Sequence, residues 1–576
     1  MKKGPNRQGF KPGRRRGRSK ARVLLSFVAI ALIALAALYF MFPNWQHTQP
    51  DWRSMKKPIF VQGAVKKYSA SGSGDSLKLP LPVIQQEIDP NIRYEEKTES
   101  VIITTSKELV HLKIDHKDAK LNNKPIKLMF APVTVKGTQY LPISLLKQIY
   151  GIEWIEDKST GAVMLFKAGE EIQSAKVSGG SSSDTIALRT EDSIHSPILQ
   201  DIIPGTQVRV LRIQGDWTFI QLDNGYAGYV PGKNLTLTGT RKIPGVKEIP
   251  NTARKKWNNK KVNLTWEAVY QKQPDSSAIG SLPGVNVVSP TWFQIMDGSG
   301  NVQSKADDLY VKWAHKNKMH VWALFSNAFD ADRTTKALSS FENRLRSIVQ
   351  ILHYAKLYQL DGINIDFENV YTKDGDNVTQ FVRELMPLAK EQGLVISIDV
   401  TPKSNSEMWS KFMDRKALAG MVDYMMLMAY DEHWAASPEA GSVASLPWTR
   451  AAVDRLLEED EVSPDKLILS VPLYTRVWSE ETKNGKTTVS SKAIGMKKAQ
   501  DIVKNFSLTP TLDESTGQNY VEYTENGILK KIWLEDSYSI KQRVELAAEL
   551  NLAGVASWTR GFASPEAWVE LKEILK

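Results

Sequence analysis

The sequence lacks cysteine altogether, which excludes disulfide bonds, thiol nucleophiles and thiolate metal sites. An exported protein of this composition has to be stabilised by its hydrophobic cores alone. The chain has material for such cores, because hydrophobic residues make up 42% of its 576 residues. At about 100–200 residues per domain, three or four folded units are expected.

Outside the first 22 residues, the chain has almost no excess of positive charge. The formal net charge of the chain is +11, and residues 1–22 carry ten Lys or Arg and no acidic residue. The remainder is therefore nearly neutral. This distribution indicates a local basic arm rather than a nucleic-acid-binding face.

Charge is also missing from residues 23–42, which follow the basic arm directly. A helix of that length spans the roughly 30 Å hydrocarbon layer of a bilayer. The arm should stay on the cytoplasmic side, so the pattern predicts a single-pass protein of the cell membrane with the rest of the chain extracellular. The alternative is a cleaved signal peptide, whose apolar region is usually shorter, about 7–15 residues, and ends at a small-residue site. Here the small-residue site, Ala34–Ala36, lies inside the apolar run.

The rest of the chain divides by composition into four segments. Residues 43–95 are polar with a Ser/Gly-rich centre and are interpreted as a linker. Short strand-like runs and one helical run predict a small domain over residues 96–170. Period-two runs joined by Gly turns predict a small β-barrel over residues 184–238. Residues 246–576 form the largest segment.

Two of these segments resemble known domain families. Residues 133–146, VTVKGTQYLPISLL, resemble the copper amine oxidase N-terminal-like repeat, which serves as a stalk on bacterial surface proteins. The resemblance implies no copper, since His111 and His116 are too few and badly spaced for a site. Residues 215–220, GDWTFI, and 224–230, NGYAGYV, resemble a bacterial SH3 domain. Such domains hold cell-wall peptide or act as spacers.

Eight short apolar runs alternate with helical patterns in the last segment. Near-continuous apolar strands indicate a parallel sheet buried on both faces, and eight β/α units predict an α/β fold, a closed (β/α)8 TIM barrel. An α+β insertion, Ser479–Lys531, breaks the rhythm before the last strand, and Asn484-Gly485 within it predicts a hairpin. The eight runs are Val262–Val269, Val285–Thr291, His320–Ser326, Leu360–Glu368, Leu394–Val400, Asp423–Tyr430, Lys466–Tyr474 and Leu552–Trp558.

The fourth run ends in polar residues. Alternation along a strand places Asn364, Asp366 and Glu368 on one face, which must point into the barrel because the other face is apolar. The chemistry of such barrels lies at the C-terminal ends of their strands. Two carboxylates there would be costly as mere structure. They therefore indicate a functional site, with a solvated strand end or a salt bridge as the alternative.

At this point the sequence resembles glycoside hydrolase family 18, a family of chitinases and N-acetylglucosaminidases. The family signature Asp-Gly-x-Asp-x-Asp-x-Glu stands here as DGINIDFE, residues 361–368. The motif Met-x-Tyr-Asp is residues 428–431, PLYTR is residues 472–476, and GVASW closes the last strand at Trp558. Asn364 replaces the middle Asp of the signature, which puts the pH optimum in doubt more than the activity.

The resemblance implies a site without metal or cofactor, in which the substrate's own 2-acetamido group attacks the anomeric carbon. Glu368 would be the acid, Asp366 its supporting carboxylate, and Tyr430 the donor to the acetamido carbonyl. Trp266, Trp292 and Trp322 are either sugar platforms or core residues. The remaining substrate-binding residues that the resemblance implies are Asp361, Asn364, Asp431, Tyr474, Arg476 and Trp558.

The expected partner of this site is an N-acetylated glycan. The resemblance is closest to the wall-acting and spore-acting branch, which favours peptidoglycan cut after N-acetylglucosamine. Chitin or its oligosaccharides are the alternative substrate. Two further alternatives are a non-catalytic sugar-binding protein and a scaffold whose barrel has lost its activity, and the intact Glu368 argues against both.

Overall fold

The computed structural model describes residues 19–179, 185–246, 260–483 and 486–576. The chain forms two compact units, Met1–Pro90 with Pro132–Lys247 and Asn91–Ala131 with Glu248–Lys576. Several predicted features lie wholly or partly outside the described residues: the basic arm 1–22, the start of the segment 184–238, the start of the segment 246–576, and the predicted turn Asn484-Gly485.

The second unit contains a closed parallel barrel, as the eight apolar runs predict. Neighbouring strands pair in sequence order, and β8 pairs with both β7 and β1 to close the ring. The strands are β1 Val262–Glu267, β2 Val287–Pro290, β3 His320–Ser326, β4 Gly362–Asp366, β5 Val395–Val400, β6 Tyr424–Met428, β7 Leu467–Pro472 and β8 Gly554–Trp558.

Helices surround the barrel because its strands are apolar on both faces. One large core lies between strands and helices, and a smaller cluster, including Leu264, Trp322 and Met426, fills the interior of the barrel. The helices after the strands are Asp308–Lys316, Ala331–Leu338, Phe341–Leu357, Gly375–Glu391, Arg415–Met421, Leu446–Glu458, Ser537–Glu549 and Pro565–Leu571.

Two smaller sheets accompany the barrel strands. A hairpin, Phe293–Ile295 with Val302–Ser304, follows β2 and joins the barrel sheet. Between β7 and β8 lies the insertion, a five-stranded antiparallel sheet with the helix Met496–Asn505. Its strands are Tyr474–Lys483, Lys486–Gly495, Thr511–Asp513, Gln518–Glu525 and Ile528–Trp533. The insertion is therefore of mixed α and β structure, as expected.

A five-stranded antiparallel meander from residues 93–127 belongs to the same unit as the barrel. Arg344, fully buried on the helix Phe341–Leu357, donates to Glu95 of this meander at 2.7 Å and forms two hydrogen bonds with Glu384, at 2.9 and 2.7 Å. His111 stacks on Phe341 with ring centroids 4.1 Å apart. Sequence analysis grouped this segment with residues up to 170, whereas the structure packs it on the barrel helices. The strands are Arg93–Glu95, Ser100–Thr104, Leu109–Lys113, Asp118–Leu121 and Lys124–Lys127.

The first unit is rich in β structure. A seven-stranded antiparallel sheet covers the region that resembles a bacterial SH3 domain, and it begins at Glu171 and ends at Lys242, beyond the predicted bounds on both sides. Its strands are Glu171–Val177, Ile186–Arg189, Ile198–Ile202, Gln207–Gln214, Trp217–Gln221, Ala227–Pro231 and Leu235–Lys242.

Two further sheets of the first unit combine strands that precede Pro90 with strands that follow Pro132, from the two stretches of chain that form this unit. The segment 43–95, interpreted from sequence as a linker, here contributes strands and the helix Leu81–Glu87. The four-stranded sheet has the order Glu153–Glu156, Val163–Phe166, Pro58–Val61 and Ala64–Ser69, and the three-stranded sheet has the order Lys78–Pro80, Thr138–Pro142 and Val133–Val135. The helix Ile143–Tyr150 follows the latter.

The N-terminal apolar segment forms the helix Ser19–Met41. Its described side chains, those of residues 23–37 and Met41, are exposed. Across the described parts of the chain, no helix is long and apolar enough to cross a membrane. The predicted transmembrane helix is therefore not confirmed.

The contact between the 93–127 meander and the barrel predicts a stability effect. Replacing Glu95 by Ala removes one of the carboxylates on Arg344 and also the acceptor of the Phe341 backbone N–H. Since a buried donor left without its partner costs about 1–3 kcal/mol, we expect faster amide hydrogen exchange across the helix Phe341–Leu357. Glu96→Ala, at the exposed neighbouring position, is the control. Equal exchange in both variants would contradict a structural role for the Glu95 contact.

Candidate active site

The end of β4 places Glu368 at the mouth of the barrel. Asp366 and Asn364, two and four residues earlier on the same face, are buried, and Glu368 is half-buried. The backbone at Glu368 is held from the end of β3: its N–H donates to Asn327 Oδ1 at 3.1 Å, and Asn327 Nδ2 donates to its carbonyl at 2.7 Å. The predicted alternation along the strand is therefore present, with the last carboxylate fixed in place.

Asp366 and Glu368 interact directly through a side-chain hydrogen bond. Burial raises the pKa of Asp366 to about 7, and the bond to Glu368 opposes that rise. Burial, followed by the charge of Asp366, raises the pKa of Glu368 well above its usual value. In this pair, Asp366 ionises first and Glu368 retains its proton, which is the arrangement that a general acid needs.

Asn364 bonds side chains of three other strands, β1, β2 and β5, beneath this pair. Its Oδ1 accepts hydrogen bonds from Trp266 Nε1 at 2.8 Å and from Ser289 Oγ at 3.3 Å. Its Nδ2 donates to Asp399 Oδ1 at 2.8 Å. Its amide is thus directed to Asp399 on β5.

Asp399 was missed by the sequence analysis. It is a single acidic residue within the apolar run of β5, and it is 2% exposed. Burial, followed by the charge of Asp366, raises its pKa well above the usual value. Its position in the sequence could have indicated a site residue, because it lies one residue before the C-terminal end of a barrel strand. Inward-facing polar residues at that end line the mouth of the barrel.

The loop after β6 and the first strand of the insertion, Tyr474–Lys483, bring a second group of predicted residues together. Asp431 Oδ1 accepts hydrogen bonds from the hydroxyl of Tyr474 at 2.7 Å and from Arg476 Nη2 at 3.1 Å. Tyr430 lies beside Tyr474, with ring centroids 6.3 Å apart. Burial, followed by the charges of Asp399, Glu368 and Asp366 among its neighbours, raises the pKa of Tyr430. Tyr430 therefore stays a neutral hydroxyl beside the acidic pair.

Trp558 ends β8 and is half-buried, with its ring 5.8 Å from that of Trp266. Trp266, Trp292 and Trp322 are at most 1% exposed. Buried rings cannot serve as sugar platforms, so the core interpretation of these three residues holds. Exposed tryptophans stand instead on the loops after β5 and β6, Trp409 and Trp434, and the sequence analysis did not single them out.

Asp361 is not part of this site, which corrects its assignment to the substrate-binding residues. It precedes β4, at the end of the strand opposite to Glu368. There it accepts hydrogen bonds from His315 Nε2 at 2.8 Å and from the Val321 N–H at 2.9 Å, and it pairs with His320 Nδ1 at 3.1 Å. Its contacts join the helix Asp308–Lys316 to the start of β3, which is a structural role.

No set of three or more His, Asp or Glu side chains in the described ranges is arranged to hold a metal ion. The side chains at the mouth supply a protonated carboxyl, a carboxyl that ionises first, and a neutral phenol. This set suits proton transfer to a leaving oxygen.

Comparison with known proteins matches two family models. Residues 266–563 match Glycosyl hydrolases family 18, and residues 65–165 match the Copper amine oxidase N-terminal domain. The first match covers the barrel from β1 to the residues after β8. The second begins earlier than the small domain predicted from the sequence.

Several bacterial proteins are similar to the barrel part of the chain. The uncharacterized glycosylase YvbX of Bacillus subtilis is 25% identical over 48% of this chain and 80% of its own length. The cortical fragment-lytic enzyme of Bacillus anthracis is 27% identical over 42% of this chain and 56% of its own length. The spore cortex-lytic enzyme SleL of Bacillus megaterium, a crystal structure, is 19% identical with a TM-score of 0.50, over 59% of this chain and 78% of that one. The chain thus spans little more than half the length of the cortical enzyme.

The contacts of Asp361 predict a pH-dependent loss of stability on mutation. Burial alone would raise its pKa, but hydrogen bonds from His320, Val321 and His315 outweigh burial and hold the pKa below its usual value. The stability that this carboxylate contributes is therefore present above the unfolded-state pKa and is lost as pH falls through the folded-state value.

We expect Asp361→Asn to lower the free energy of unfolding by about 1–3 kcal/mol at pH 7. The difference from wild type should shrink as pH falls below about 4, where an unfolded aspartate becomes protonated. Chemical denaturation at both pH values measures it. Asp308→Asn, on the same helix as His315 and paired with exposed Lys312, should cost under about 1 kcal/mol. Equal losses in the two variants would contradict the role given to Asp361.

Proposed function

Because the chain belongs to glycosyl hydrolases family 18, we propose that it cleaves the β-1,4 bond after N-acetylglucosamine in peptidoglycan, with retention of configuration. The observation that carries this proposal is the Asp366–Glu368 pair at the barrel mouth, in which Glu368 keeps its proton. A single protonated acid beside an ionisable carboxyl suits a reaction in which the substrate supplies its own nucleophile.

In the first step, Glu368 gives its proton to the glycosidic oxygen as the bond from that oxygen to the anomeric carbon breaks. The carbonyl oxygen of the substrate's 2-acetamido group forms the new bond to that carbon, which gives a positively charged oxazolinium. Ionised Asp366 stabilises this charge by accepting from the acetamido N–H. Tyr430, held neutral by its surroundings, donates its hydroxyl to the acetamido oxygen.

In the second step, Glu368, now ionised, takes a proton from a water molecule that attacks the anomeric carbon. The oxazolinium ring opens and Glu368 returns to its protonated state. Trp558, half-buried at the end of β8, provides the floor on which the reacting sugar lies. Asp431, with Tyr474 and Arg476 bound to it, holds sugar hydroxyls. Asn364, whose polar atoms all face the protein, supports the site from below.

Peptidoglycan is favoured over chitin by the similarity to a cortical fragment-lytic enzyme and a spore cortex-lytic enzyme. Both substrates contain N-acetylglucosamine with a 2-acetamido group. In peptidoglycan, N-acetylmuramic acid also has this group, but its lactyl arm would crowd a pocket formed by Trp558 and Tyr430. The new reducing ends should therefore be N-acetylglucosamine. Hydrolysis of chitin oligosaccharides is the second candidate activity.

Digestion of purified peptidoglycan by the full chain tests the proposal. After borohydride reduction, mass spectrometry should find glucosaminitol at the new ends. Glu368→Gln should lower turnover by about 10²–10⁴-fold, the contribution of a general acid, while the surface variant Glu391→Gln should leave turnover unchanged.

Muramitol ends would contradict the predicted bond. Inert peptidoglycan with efficient cleavage of chitin oligosaccharides would contradict the substrate. An active Glu368→Gln variant would contradict the assignment of the acid.

The location of the chain is a separate part of the proposal and rests on the sequence pattern alone. The basic arm 1–22 ahead of the uncharged segment 23–42 favours an N-terminus held inside and a barrel outside the cell. Protease added to intact cells should remove the barrel and spare the arm. Release into the medium with a new N-terminus in or just after residues 23–42 would indicate a cleaved signal. A barrel protected from protease would overturn the location outside the cell.

A further inference from the structure

Three carboxyl groups meet in the barrel, and none of the cations in the described part of the chain lies among them. Asp366 and Asp399 are at most 6% exposed, and Glu368 stands half-buried above them. The charged groups that act on these three side chains are all acidic. Arg476, a cation on the insertion strand Tyr474–Lys483, is bound to Asp431. Since ionised carboxylates cannot be buried together without compensation, the three must hold protons between them.

The direction of the hydrogen bonds beneath the pair is fixed by Trp266. An indole N–H can only donate, so Asn364 must turn its carbonyl oxygen toward Trp266 and its amide nitrogen toward Asp399. Asp399 Oδ1 is therefore an acceptor, and any proton of Asp399 is on Oδ2. Above it, Asp366 Oδ1 is buried without a hydrogen-bond partner, so Asn364 offers Asp366 no donor.

A single aspartate could supply both a hydrogen bond and an ionisable group. Here the two properties belong to different residues on different strands, Asn364 and Asp399. Asn364 on β4 supplies the fixed hydrogen bond but no charge, and Asp399 on β5 supplies the ionisable group. We propose that Asp399 is a positioning residue whose negative charge, formed on the alkaline side of the working range, keeps Glu368 protonated and extends activity to higher pH.

The order of ionisation follows from the surroundings of each group. Asp366 loses its proton first, and its charge opposes ionisation of Asp399. The charges of Asp366 and Asp399 both oppose ionisation of Glu368. Tyr430, the other titratable group facing Asp399, stays neutral. When Asp399 ionises, Glu368 therefore holds its proton more strongly and remains a usable acid.

The inference rests on the proposed function, in which Glu368 must be protonated for activity. The test measures kcat/KM of the full chain on soluble peptidoglycan fragments across the pH range. Asp399→Asn keeps an oxygen that accepts from Asn364 and removes the charge. At the alkaline pH where wild type retains half of its maximum, this variant should retain less than about one fifth of its own maximum, because removal of a like charge lowers the pH at which the acid ionises.

Two further variants accompany Asp399→Asn. Ser397→Ala, on the same strand and also fully buried, changes no charge and should leave both limbs of the pH profile where they are. Asn364→Asp adds a carboxylate that Trp266 and Ser289 would stabilise by donation, so it should move the alkaline limb to higher pH. Asp399→Asn and Asn364→Asp exchange side chains of nearly equal size, and they should shift the alkaline limb of the pH profile in opposite directions.

A uniform loss of activity in Asp399→Asn, with the half-maximal pH values unmoved, would show Asp399 to be only a hydrogen-bond acceptor and would overturn the inference. If Asp399→Asn does not fold, an unmoved or lowered alkaline limb in Asn364→Asp overturns it instead. Activity of Glu368→Gln would mean that the proposed function fails. Inactive Glu368→Gln with unshifted profiles in the other variants would mean that only the role of Asp399 fails.

Discussion

The mouth of the barrel is organised around the buried carboxyl groups of Asp366, Glu368 and Asp399, which no cation of the described ranges pairs with. Such burial is unfavourable unless protons or hydrogen bonds replace the lost water. Here both are used: Glu368 keeps its proton, and the amide of Asn364 binds Asp399. The closed barrel makes this possible, because side chains of β1, β2, β4 and β5 meet in its interior. Each strand supplies one or two atoms of a network that no single strand could form.

Two buried acids elsewhere in the same unit follow the opposite rule. Glu384 binds Arg344 through two hydrogen bonds of 2.7 and 2.9 Å, and Glu535 binds Arg543 at 2.6 and 3.0 Å. An arginine remains charged at any pH that a folded protein survives. These acids are therefore neutralised by ion pairing rather than by a proton. They join secondary-structure elements and do not take part in proton transfer.

The sequence predicts the barrel and the Asp366–Glu368 pair well because both depend on local patterns. Eight near-continuous apolar runs determine the strands, and alternation along one run determines which side chains face inward. Asp361 was misassigned because the motif extends beyond the strand: β4 begins at Gly362, so the first residue of the motif lies at the far end of the barrel. Asp399 was missed because its significance depends on a neighbour 35 positions away.

The packing of the 93–127 meander on the barrel helices was beyond sequence reasoning for the same cause. Glu95 and Arg344 are 249 positions apart, and charged residues at each position are read most simply as solvated surface. Only the fold shows that Arg344 is fully buried and that two acids compensate it.

Whether a buried carboxyl is structural or catalytic thus depends on what neutralises it. In a buried carboxylate paired with arginine, protonation costs the energy of the ion pair. A carboxyl neutralised by its own proton, as Glu368 is, has that proton available for transfer. The barrel unit contains both kinds a short distance apart along the chain, Asp366 and Glu368 at the end of β4 and Glu384 on the helix that follows. At the mouth, the proton that protects a buried acid is also the one available to a leaving group.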